Sequence, residues 1–413
     1  MDADLIPTSW ERRGNIITVV GVGGGGNNAV SFMYSLGLKD VDFVVCNTDV
    51  QALESSPVPT KLQIGPILTK GLGAGTDYTV GRQAAEESLE DIARFFEGDT
   101  QMVFVTCGMG GGTGTGAAPL VAKTAKEMGK LTVGVVTVPF RDEGNEALYR
   151  AVEGIREMSR HVDSILVIDN QKLYQLYGKM SMRKAFSKAD EVLATAVKSI
   201  AEIITSSGYI NVDFADVKKV MQNSGVAIMG IGEAEGEDRA TRAVEEALSS
   251  PLLNDLNLHS VKNALINITA SGDDENGISM EELSQIMDFT SQYTGATINF
   301  KRGIVFDDSM GPKISVTIIA TGFEMWQLPV IDESEINRNN RIEVSYVKNL
   351  FRSRKRGRPI APDNVKMLNK QHMGGIPALI VDDVRLIREL EEEPACIRRE
   401  RMLNVKTTDP ENE

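Results

Sequence analysis

Cysteine is scarce in this chain, which has three cysteines, Cys46, Cys107 and Cys396, among its 413 residues. Because they are odd in number and far apart, the sequence predicts neither a disulfide framework nor a cysteine-based metal site. Long apolar runs are also lacking, since none approaches the ~20 residues that a membrane-spanning helix needs. The N-terminal stretch has no apolar signal core. We therefore expect a cytoplasmic protein without direct membrane insertion.

Basic charge is in deficit, with 44 Lys and Arg against 58 Asp and Glu and a net charge of −14. Phosphate binding needs a basic surface, so nucleic acid is excluded as the main partner. The one local exception is RSRKRGR, residues 352–358. This run is either a solvated linker segment or a contact for an anionic surface.

Apolar, β-branched runs alternate with helical stretches in the first part of the chain. The runs are at 15–23, 41–47, 102–108, 131–138 and 164–169. Short strands alternating with helices predict a parallel α/β sheet, whose ligands bind beyond the carboxyl ends of the strands. The length of the chain predicts two domains with extensions.

The pattern changes after one long predicted helix, residues 183–207, whose apolar residues follow helical spacing. We predict a helix at about 237–249, a strand at 263–271, a helix at 279–293 and strands at 296–306 and 313–323. The predicted fold is therefore a doubly wound, mostly parallel α/β domain, a connecting helix and a smaller α+β domain. The predicted boundaries are an N-terminal extension at 1–14, the α/β domain at 15–182, the helix at 183–207, the α+β domain at 208–323, a flexible linker at 324–385, a tail peptide at 386–402 and a polar tail at 403–413.

Two glycine runs each lie between a predicted strand and a predicted helix. The first, GVGGGG at 21–26, fits the dinucleotide pattern G-x-G-x-x-G, and Asp49 follows where such folds keep a ribose-binding acid. This suggests a nicotinamide-dependent oxidoreductase, and a tight turn for helix–strand packing is the alternative. The second run, GMGGGTGTGAAP at 108–119, has six glycines among its first nine residues. Two such loops at one sheet edge would cradle more than one phosphate.

The second run lacks the lysine of a Walker P-loop, so its cradle would consist of backbone N–H groups and hydroxyls. The hydroxyls of Thr113 and Thr115 would either donate to phosphate or cap a helix starting near Ala117. Nothing in the composition decides between these two roles.

The residues Gly110 to Gly116 match the signature loop of the tubulin/FtsZ family. Further segments resemble the bacterial FtsZ members in the same order: GVGGGGNNAV at 21–30, NTDVQAL at 47–53, TKGLGAG at 69–75, NVDFADV at 211–217 and GEDRATRA at 236–243. The resemblance covers roughly residues 15–323 and a short tail peptide. It implies a GTPase that polymerises head to tail into the ring of bacterial cell division, with GTP as substrate and Mg²⁺ as its companion ion, for which no ligands are assigned.

The resemblance also implies roles for individual residues. The nucleotide contacts it implies are Gly24, Gly25, Gly26, Asn27, Asn28, Gly111, Gly112, Thr113, Gly114, Thr115 and Gly116 for the phosphates, Ala74, Gly75 and Thr76 for sensing the γ-phosphate, Glu143 for the ribose, and Asn170, Asp190 and Phe186 for the base. A carboxylate at Asp190 suits guanine, because it can accept from both N–H groups on that base's Watson–Crick edge. Read alone, Asp190 would be a surface charge near a helix start.

Three polar residues, Asn211, Asp213 and Asp216, open a predicted helix. They form either an N-terminal cap or, as the resemblance implies, the catalytic group that positions and polarises the attacking water. A helix of ~20 residues spans about 30 Å, so acids beyond the far end of the long helix cannot reach the nucleotide that Asp190 contacts. They would serve the GTP of a neighbouring subunit.

Two departures from the family pattern bear on function. Ala147 stands where the family has a nucleotide-contacting arginine, and Arg150, one helical turn on, is the candidate substitute. A scaffold that assembles but hydrolyses GTP poorly therefore stays an alternative. In the tail peptide, Cys396 replaces an aromatic residue. The resemblance implies that residues 391–402 bind membrane adaptors and other division proteins and that the chain collects at the midcell division site.

Overall fold

The computed structural model of the chain describes residues 14–177, 180–205, 213–250, 261, 263–294, 299–323, 365–369 and 377–381. The chain divides into two compact units, Met1–Ile336 and Asn337–Glu413. Residues 1–13 of the predicted N-terminal extension, most of the linker, the basic run and the tail peptide with Cys396 lie outside the described residues. Among the helices that are described, none is long and apolar enough to cross a bilayer.

A ten-stranded sheet runs through the first unit in the order β3-β2-β1-β4-β5-β6-β7-β10-β8-β9. Its strands are β1 (Ile17–Val22), β2 (Val41–Asn47), β3 (Thr60–Gln63), β4 (Met102–Gly108), β5 (Leu131–Val138), β6 (Ser164–Asp169), β7 (Gly225–Glu235), β8 (Asn263–Ala270), β9 (Asn299–Phe306) and β10 (Lys313–Phe323). Strands β1 to β6 pair in parallel, and their order reverses between β1 and β4. This confirms the doubly wound α/β fold.

Twelve α-helices are described in the first unit: α1 (Gly23–Ser35), α2 (Val50–Ser55), α3 (Pro66–Thr69), α4 (Tyr78–Glu87), α5 (Leu89–Arg94), α6 (Gly112–Glu127), α7 (Asn145–Ser159), α8 (Asn170–Tyr177), α9 (Met182–Thr205), α10 (Phe214–Met221), α11 (Arg239–Leu248) and α12 (Met280–Thr294). Helix α9 agrees with the long helix predicted over 183–207. Helix α6 begins at Gly112, so the expectation of a start near Ala117 is wrong. Glycine is a poor helix former, and propensity alone therefore hides this first turn.

Both faces of the parallel sheet are covered. On β4, Val103, Val105 and Cys107 belong to the core cluster that includes α6 and α7, whereas Met102 and Phe104 belong to the cluster that includes α1 and α9. Successive side chains on a strand point to opposite faces, so a strand covered on both sides is apolar throughout. This explains why the parallel strands appear in the sequence as unbroken apolar runs.

The predicted smaller α+β domain is also confirmed, and its strands extend the sheet of the α/β domain. Strands β6 and β7 pair in parallel from Ser164↔Gly225 to Leu166↔Ala227, and β7 then pairs antiparallel with β10. The sequence analysis did not predict β7. A Cβ on Gly232 would collide with the Ala243 carbonyl of α11, so the packing requires glycine here. This glycine weakens the apolar pattern by which a strand is predicted.

The second unit contains two described strands, β11 (Val365–Asn369) and β12 (Pro377–Val381), which pair antiparallel. They fall inside the segment predicted as a flexible linker, and the sequence analysis did not predict strands there.

Candidate functional site

The two glycine runs meet at the carboxyl ends of two neighbouring strands. Strand β1 leads into α1 at Gly23, and β4 leads through the signature loop into α6 at Gly112. The strand ends are paired in register, with Val22 opposite Cys107. The prediction that both runs line one sheet edge is therefore confirmed, and this edge is the point where the strand order reverses.

Close backbone contact between the two runs explains part of their glycine content. A Cβ on Gly23 would lie 2.8 Å from the Gly114 backbone nitrogen, and one on Gly25 would lie 3.1 Å from Gly108 Cα. Real Cβ atoms almost never approach a heavy atom within 3.0 Å. Side chains at these positions would push the two loops apart.

Other glycines in the same loops are not required by packing. A Cβ on Gly24 or on Gly111 would meet no described atom within 4 Å, and both residues are exposed. Neither α1 nor α6 has a side-chain hydrogen bond capping its N-terminus within the described part of the chain. Two helix N-termini with accessible N–H groups and positive dipole ends therefore face open space, which is the arrangement that binds phosphate.

A turn of strained backbone forms a third wall of this cradle. Thr76 has φ of +68°, in the left-handed region that β-branched residues avoid. The turn packs closely on the signature loop, because a Cβ on Gly112 would lie 3.0 Å from both Ala74 Cβ and the Asp77 backbone nitrogen. The Ala74–Thr76 segment thus lies against the first turn of α6, and its role toward the γ-phosphate stays a prediction.

Three of the predicted phosphate-contacting residues have buried side chains with partners inside the protein. Thr113 Oγ1 lies 2.7 Å from Thr48 Oγ1, and Thr115 Oγ1 accepts a 2.8 Å hydrogen bond from the Gly110 N–H. In the amide orientation that satisfies its surroundings, Asn27 donates to the Gly21 and Gly23 carbonyls at 3.0 and 3.1 Å. These side chains hold the loops in shape. The alternative that a threonine caps the helix is wrong, because both threonines lie inside α6.

Ala147, which stands where the family has an arginine, is tightly packed against the signature loop. Ala147 is buried, and its carbonyl oxygen lies 2.9 Å from where a Cβ on Gly110 would be. Arg150 Nε donates a 2.8 Å hydrogen bond to the Gly110 carbonyl, and Arg150 Nη1 lies 3.8 Å from Glu146 Oε2. The guanidinium of Arg150 therefore contacts the base of the signature loop, and its contact with the nucleotide stays a prediction.

The predicted base contacts lie where β6 passes into α8 and in the first half of α9. Asn170 opens α8 and is buried, and among the described residues its Oδ1 has no hydrogen-bond partner. Burial raises the pKa of the Asp190 carboxyl to about 6. Phe186 lies in α9, and its side chain is outside the described residues. The proposed ribose contact, Glu143, is exposed and accepts a 2.8 Å hydrogen bond from the Phe140 N–H.

The predicted catalytic acids lie beyond the other end of α9. Asp213 caps α10, and its Oδ1 accepts a 2.8 Å hydrogen bond from the Asp216 N–H. The capping interpretation is thus confirmed for Asp213, and it leaves the second carboxylate oxygen available. Asp216 Oδ1 forms a 2.6 Å ion pair with Lys301 Nζ, which the sequence analysis did not identify. Asn211 lies outside the described residues.

The length of α9 keeps the acids away from the base contacts. The helix has 24 residues and is about 36 Å long, and Asp190 is in its first half. From Asp190 to Thr205 the helix rises about 22 Å, and α10 begins only after a further segment. The structure therefore separates Asp213 and Asp216 from Asp190 of the same chain.

The oxidoreductase alternative depends on Asp49 as a ribose-binding acid, and in the structure this residue has a local structural role. Asp49 caps α2, and its Oδ1 accepts hydrogen bonds from the N–H groups of Gln51 at 2.9 Å and Ala52 at 3.3 Å. Within the described residues, no group of three or more His, Cys, Asp or Glu could hold a metal ion. A magnesium ion at this edge would therefore take most of its oxygen ligands from phosphate and water, as Mg²⁺ commonly does.

Comparisons with known proteins agree with this geometry. The profile of the Tubulin/FtsZ family, GTPase domain, matches residues 16–178, and that of the FtsZ family, C-terminal domain, matches residues 225–324. The chain is 50% identical over 308 residues to the cell division protein FtsZ of Pseudomonas aeruginosa, covering 74% of this chain and 77% of that protein. It is 46% identical to the FtsZ of Porphyromonas gingivalis, covering 75% and 67%. A solved FtsZ dimer from M. jannaschii superposes with a TM-score of 0.71 at 42% identity, covering 76% and 89%.

Proposed function

The chain belongs to the FtsZ family of tubulin-like GTPases, and from this premise we propose that it hydrolyses GTP between subunits of a head-to-tail filament that forms the bacterial division ring. The observation that carries this proposal is the separation of Asp190, the proposed base contact, from the acids by the length of α9. Each subunit supplies a nucleotide site at one end and hydrolytic groups at the other.

Phosphate binding rests on the two open helix N-termini. A Cβ on Gly24 or Gly111 would meet no described atom within 4 Å, so no described side chain fills the space beside these helix starts, and the buried hydroxyls of Thr113 and Thr115 hold the signature loop in shape. Backbone donors of this kind also stabilise the charge that develops on phosphate oxygens during hydrolysis. Mg²⁺, when bound with GTP, would neutralise phosphate charge.

We assign guanine recognition to two acceptors, the amide oxygen of Asn170 and the carboxylate of Asp190. Asn170 Oδ1 has no partner within the described part of the chain, and burial has raised the pKa of Asp190 because its carboxylate is poorly solvated. Guanine offers N–H donors that suit such acceptors, whereas adenine lacks the N1–H and N2–H pair. An unsatisfied amide oxygen and a poorly solvated carboxylate therefore fit a guanine base better than an adenine base.

The raised pKa of Asp190 gives this assignment a pH signature. Above pH 6 the free carboxyl is ionised and accepts from guanine; below pH 6 it is protonated, so we expect GTP affinity to fall by up to about tenfold per pH unit. Titrations of the monomer at pH 7.5, 6.0 and 5.0 would measure this. Asp190→Asn is the matched control, because it removes this titration but keeps that of the terminal phosphate, whose pKa is also about 6. Equal pH dependence in the two proteins would contradict the assignment.

Hydrolysis across the interface follows from the placement of the acids. In a head-to-tail contact, different surfaces of two copies meet, so the acid end of one subunit can cover the nucleotide end of the next. Asp213 and Asp216 would orient the attacking water and accept its proton. Asn211 is proposed to contribute on the basis of family resemblance. The solved FtsZ dimer supports association between copies of such a chain.

Arg150 is proposed to replace the family's arginine by restraining the signature loop. Arg150→Gln would remove the charged hydrogen bond to the Gly110 carbonyl, and we expect about tenfold weaker GTP binding. Arg160→Gln is the control, because Arg160 lies at the C-terminal end of α7, is exposed and pairs with Glu157. Unchanged affinity in Arg150→Gln would show that Arg150 has no such role.

Recruitment to the division site is assigned to the tail. We propose that residues 391–402 bind membrane adaptors and other division proteins in the cytoplasm at midcell. The replacement of the family's aromatic residue by Cys396 would reduce the apolar contact that this peptide makes.

A scaffold that assembles without efficient hydrolysis is the second candidate function, and Ala147 is the observation that favours it. GTP-dependent light scattering with phosphate release measured in parallel separates the two functions. Phosphate release that rises with assembly supports the GTPase. Assembly with no phosphate release above that of unassembled chains supports the scaffold.

A further inference from the structure

The ion pair between Lys301 and Asp216 connects the edge strand β9 to one of the proposed catalytic acids. The Lys301 ammonium lies 2.6 Å from Asp216 Oδ1, and both side chains are only partly exposed, at 38% and 37%. The ion pair uses one oxygen of the Asp216 carboxylate, Oδ1. The cation thus contacts one side of the carboxylate and leaves the other side available.

The backbone position of Lys301 is set by packing two residues further along β9. A Cβ on Gly303 would lie 3.0 Å from Ile203 Cγ1, in the last turns of α9, so β9 is pressed against that helix. Residues two apart on a strand share a face, and Lys301 therefore faces the α9–α10 side as Gly303 does. Arg302, between them, faces the opposite side and is exposed.

We propose that Lys301 is a positioning residue for hydrolysis: its ammonium holds Asp216 Oδ1, so that the other carboxylate oxygen faces the neighbouring subunit's GTP. This inference rests on the proposed trans hydrolysis. Asp213 contributes from the other direction, because its Oδ1 accepts from the Asp216 N–H at 2.8 Å. The backbone of Asp216 and one of its carboxylate oxygens are then both restrained.

Charge gives Lys301 a second effect on the same step. Two carboxylates approaching the polyphosphate of GTP repel it, and this repulsion grows as the closing interface excludes water. A lysine in contact with Asp216 offsets one of these negative charges. The lysine thus makes it easier for a carboxylate to approach an anionic substrate.

The competing explanation is an ion pair that only stabilises the fold. Partly exposed pairs of this kind contribute little to stability, at most about a few-fold in the folding equilibrium. A purely structural pair would affect folding or assembly and would leave the rate per assembled subunit unchanged. The rate per assembled subunit therefore separates the two explanations.

The test uses the full-length chain with Lys301→Met, Lys301→Arg and the matched control Arg302→Met. GTP binding to the monomer, polymer mass by sedimentation and phosphate release per polymerised subunit are measured for each. We expect Lys301→Met to bind GTP and assemble as the wild type does, but to release phosphate about tenfold more slowly at saturating GTP. Lys301→Arg should recover most of the rate, and Arg302→Met should match the wild type.

A double mutant shows whether Lys301 acts through Asp216. With Asp216→Ala already in place, adding Lys301→Met is expected to leave the residual rate unchanged, because the partner is already gone. A further fall of about tenfold in the double mutant would overturn the proposal.

The remaining outcomes are also decisive. If the wild type hydrolyses GTP and Lys301→Met is equally fast per subunit, the inference about Lys301 is wrong and the proposed function stands. If Lys301→Met and Lys301→Arg both fail to assemble, or are equally slow, the role is structural and the inference is also wrong. A wild type that assembles without releasing phosphate would instead overturn the proposed function itself.

Discussion

Asp216→Ala is expected to bind GTP as tightly as the wild type and to hydrolyse it at least about a hundredfold more slowly, even when fully assembled. The variant leaves the glycine loops untouched, because Asp216 lies in the first turn of α10, beyond the far end of α9. It removes the carboxylate that would orient and deprotonate water for the neighbouring subunit. Binding and hydrolysis should therefore separate in this variant.

Phosphate release normalised to sedimented polymer is the measurement for Asp216→Ala. Asp288→Ala is a suitable control, because Asp288 is an exposed acid on helix α12 of the same half of the chain. The control should release phosphate at the wild-type rate. A rate for Asp216→Ala within about threefold of the wild type, at equal polymer mass, would show that Asp216 is not part of the hydrolytic group.

Gly111→Val is expected to weaken GTP binding at least a hundredfold. This factor corresponds to about 2.7 kcal/mol of binding free energy. Gly111 has φ of −82° and ψ of 177°, an extended conformation that valine adopts readily. A Cβ there meets no described protein atom within 4 Å, so the folded chain has room for the side chain. That side chain would fill the space proposed for phosphate and shield the N–H groups at the start of α6.

Isothermal titration with GTP, together with thermal unfolding of the free protein, tests this variant. Gly14→Val is the matched control, because Gly14 is also exposed and its Cβ would make only ordinary contact, 3.5 Å from Asp99 Oδ2. Both variants should unfold near the wild-type temperature. A folded Gly111→Val protein that still binds GTP with wild-type affinity would refute the phosphate cradle.

The parallel sheet and its glycine loops were predictable because their signals are local. A strand buried on both faces must be apolar along its length, and a loop that exposes N–H groups to an anion must lack side chains, as Gly24 and Gly111 do. The roles of Asn170 and Asp190 came from resemblance to the family. The structure adds physical support, since one has an unsatisfied acceptor and the other a raised pKa.

Features that depend on distant residues were not predictable in this way. Strand β7 was missed because its Gly232 lowers the apolar signal of the segment. Packing of α11 against the strand requires this glycine, and that contact is visible only in the folded structure. The start of α6 was missed because the glycines that form the cradle are also poor helix formers. Lys301 gave no signal at all, since its partner Asp216 is brought to it by pairing of β8 with β9 and packing against α9.

Mixing the two inactive variants tests the central claim, that GTP and the acids come from different subunits. Asp216→Ala supplies intact glycine loops, and Gly111→Val supplies an intact Asp213 and Asp216. Phosphate release is measured for each variant alone and for an equimolar mixture. One variant carries a label, and its recovery in the polymer sedimented from the mixture verifies copolymerisation. The account predicts that the mixture is several-fold more active than the sum of its parts, because some interfaces combine GTP from one chain with acids from the other. Copolymers no more active than that sum would contradict hydrolysis across the interface.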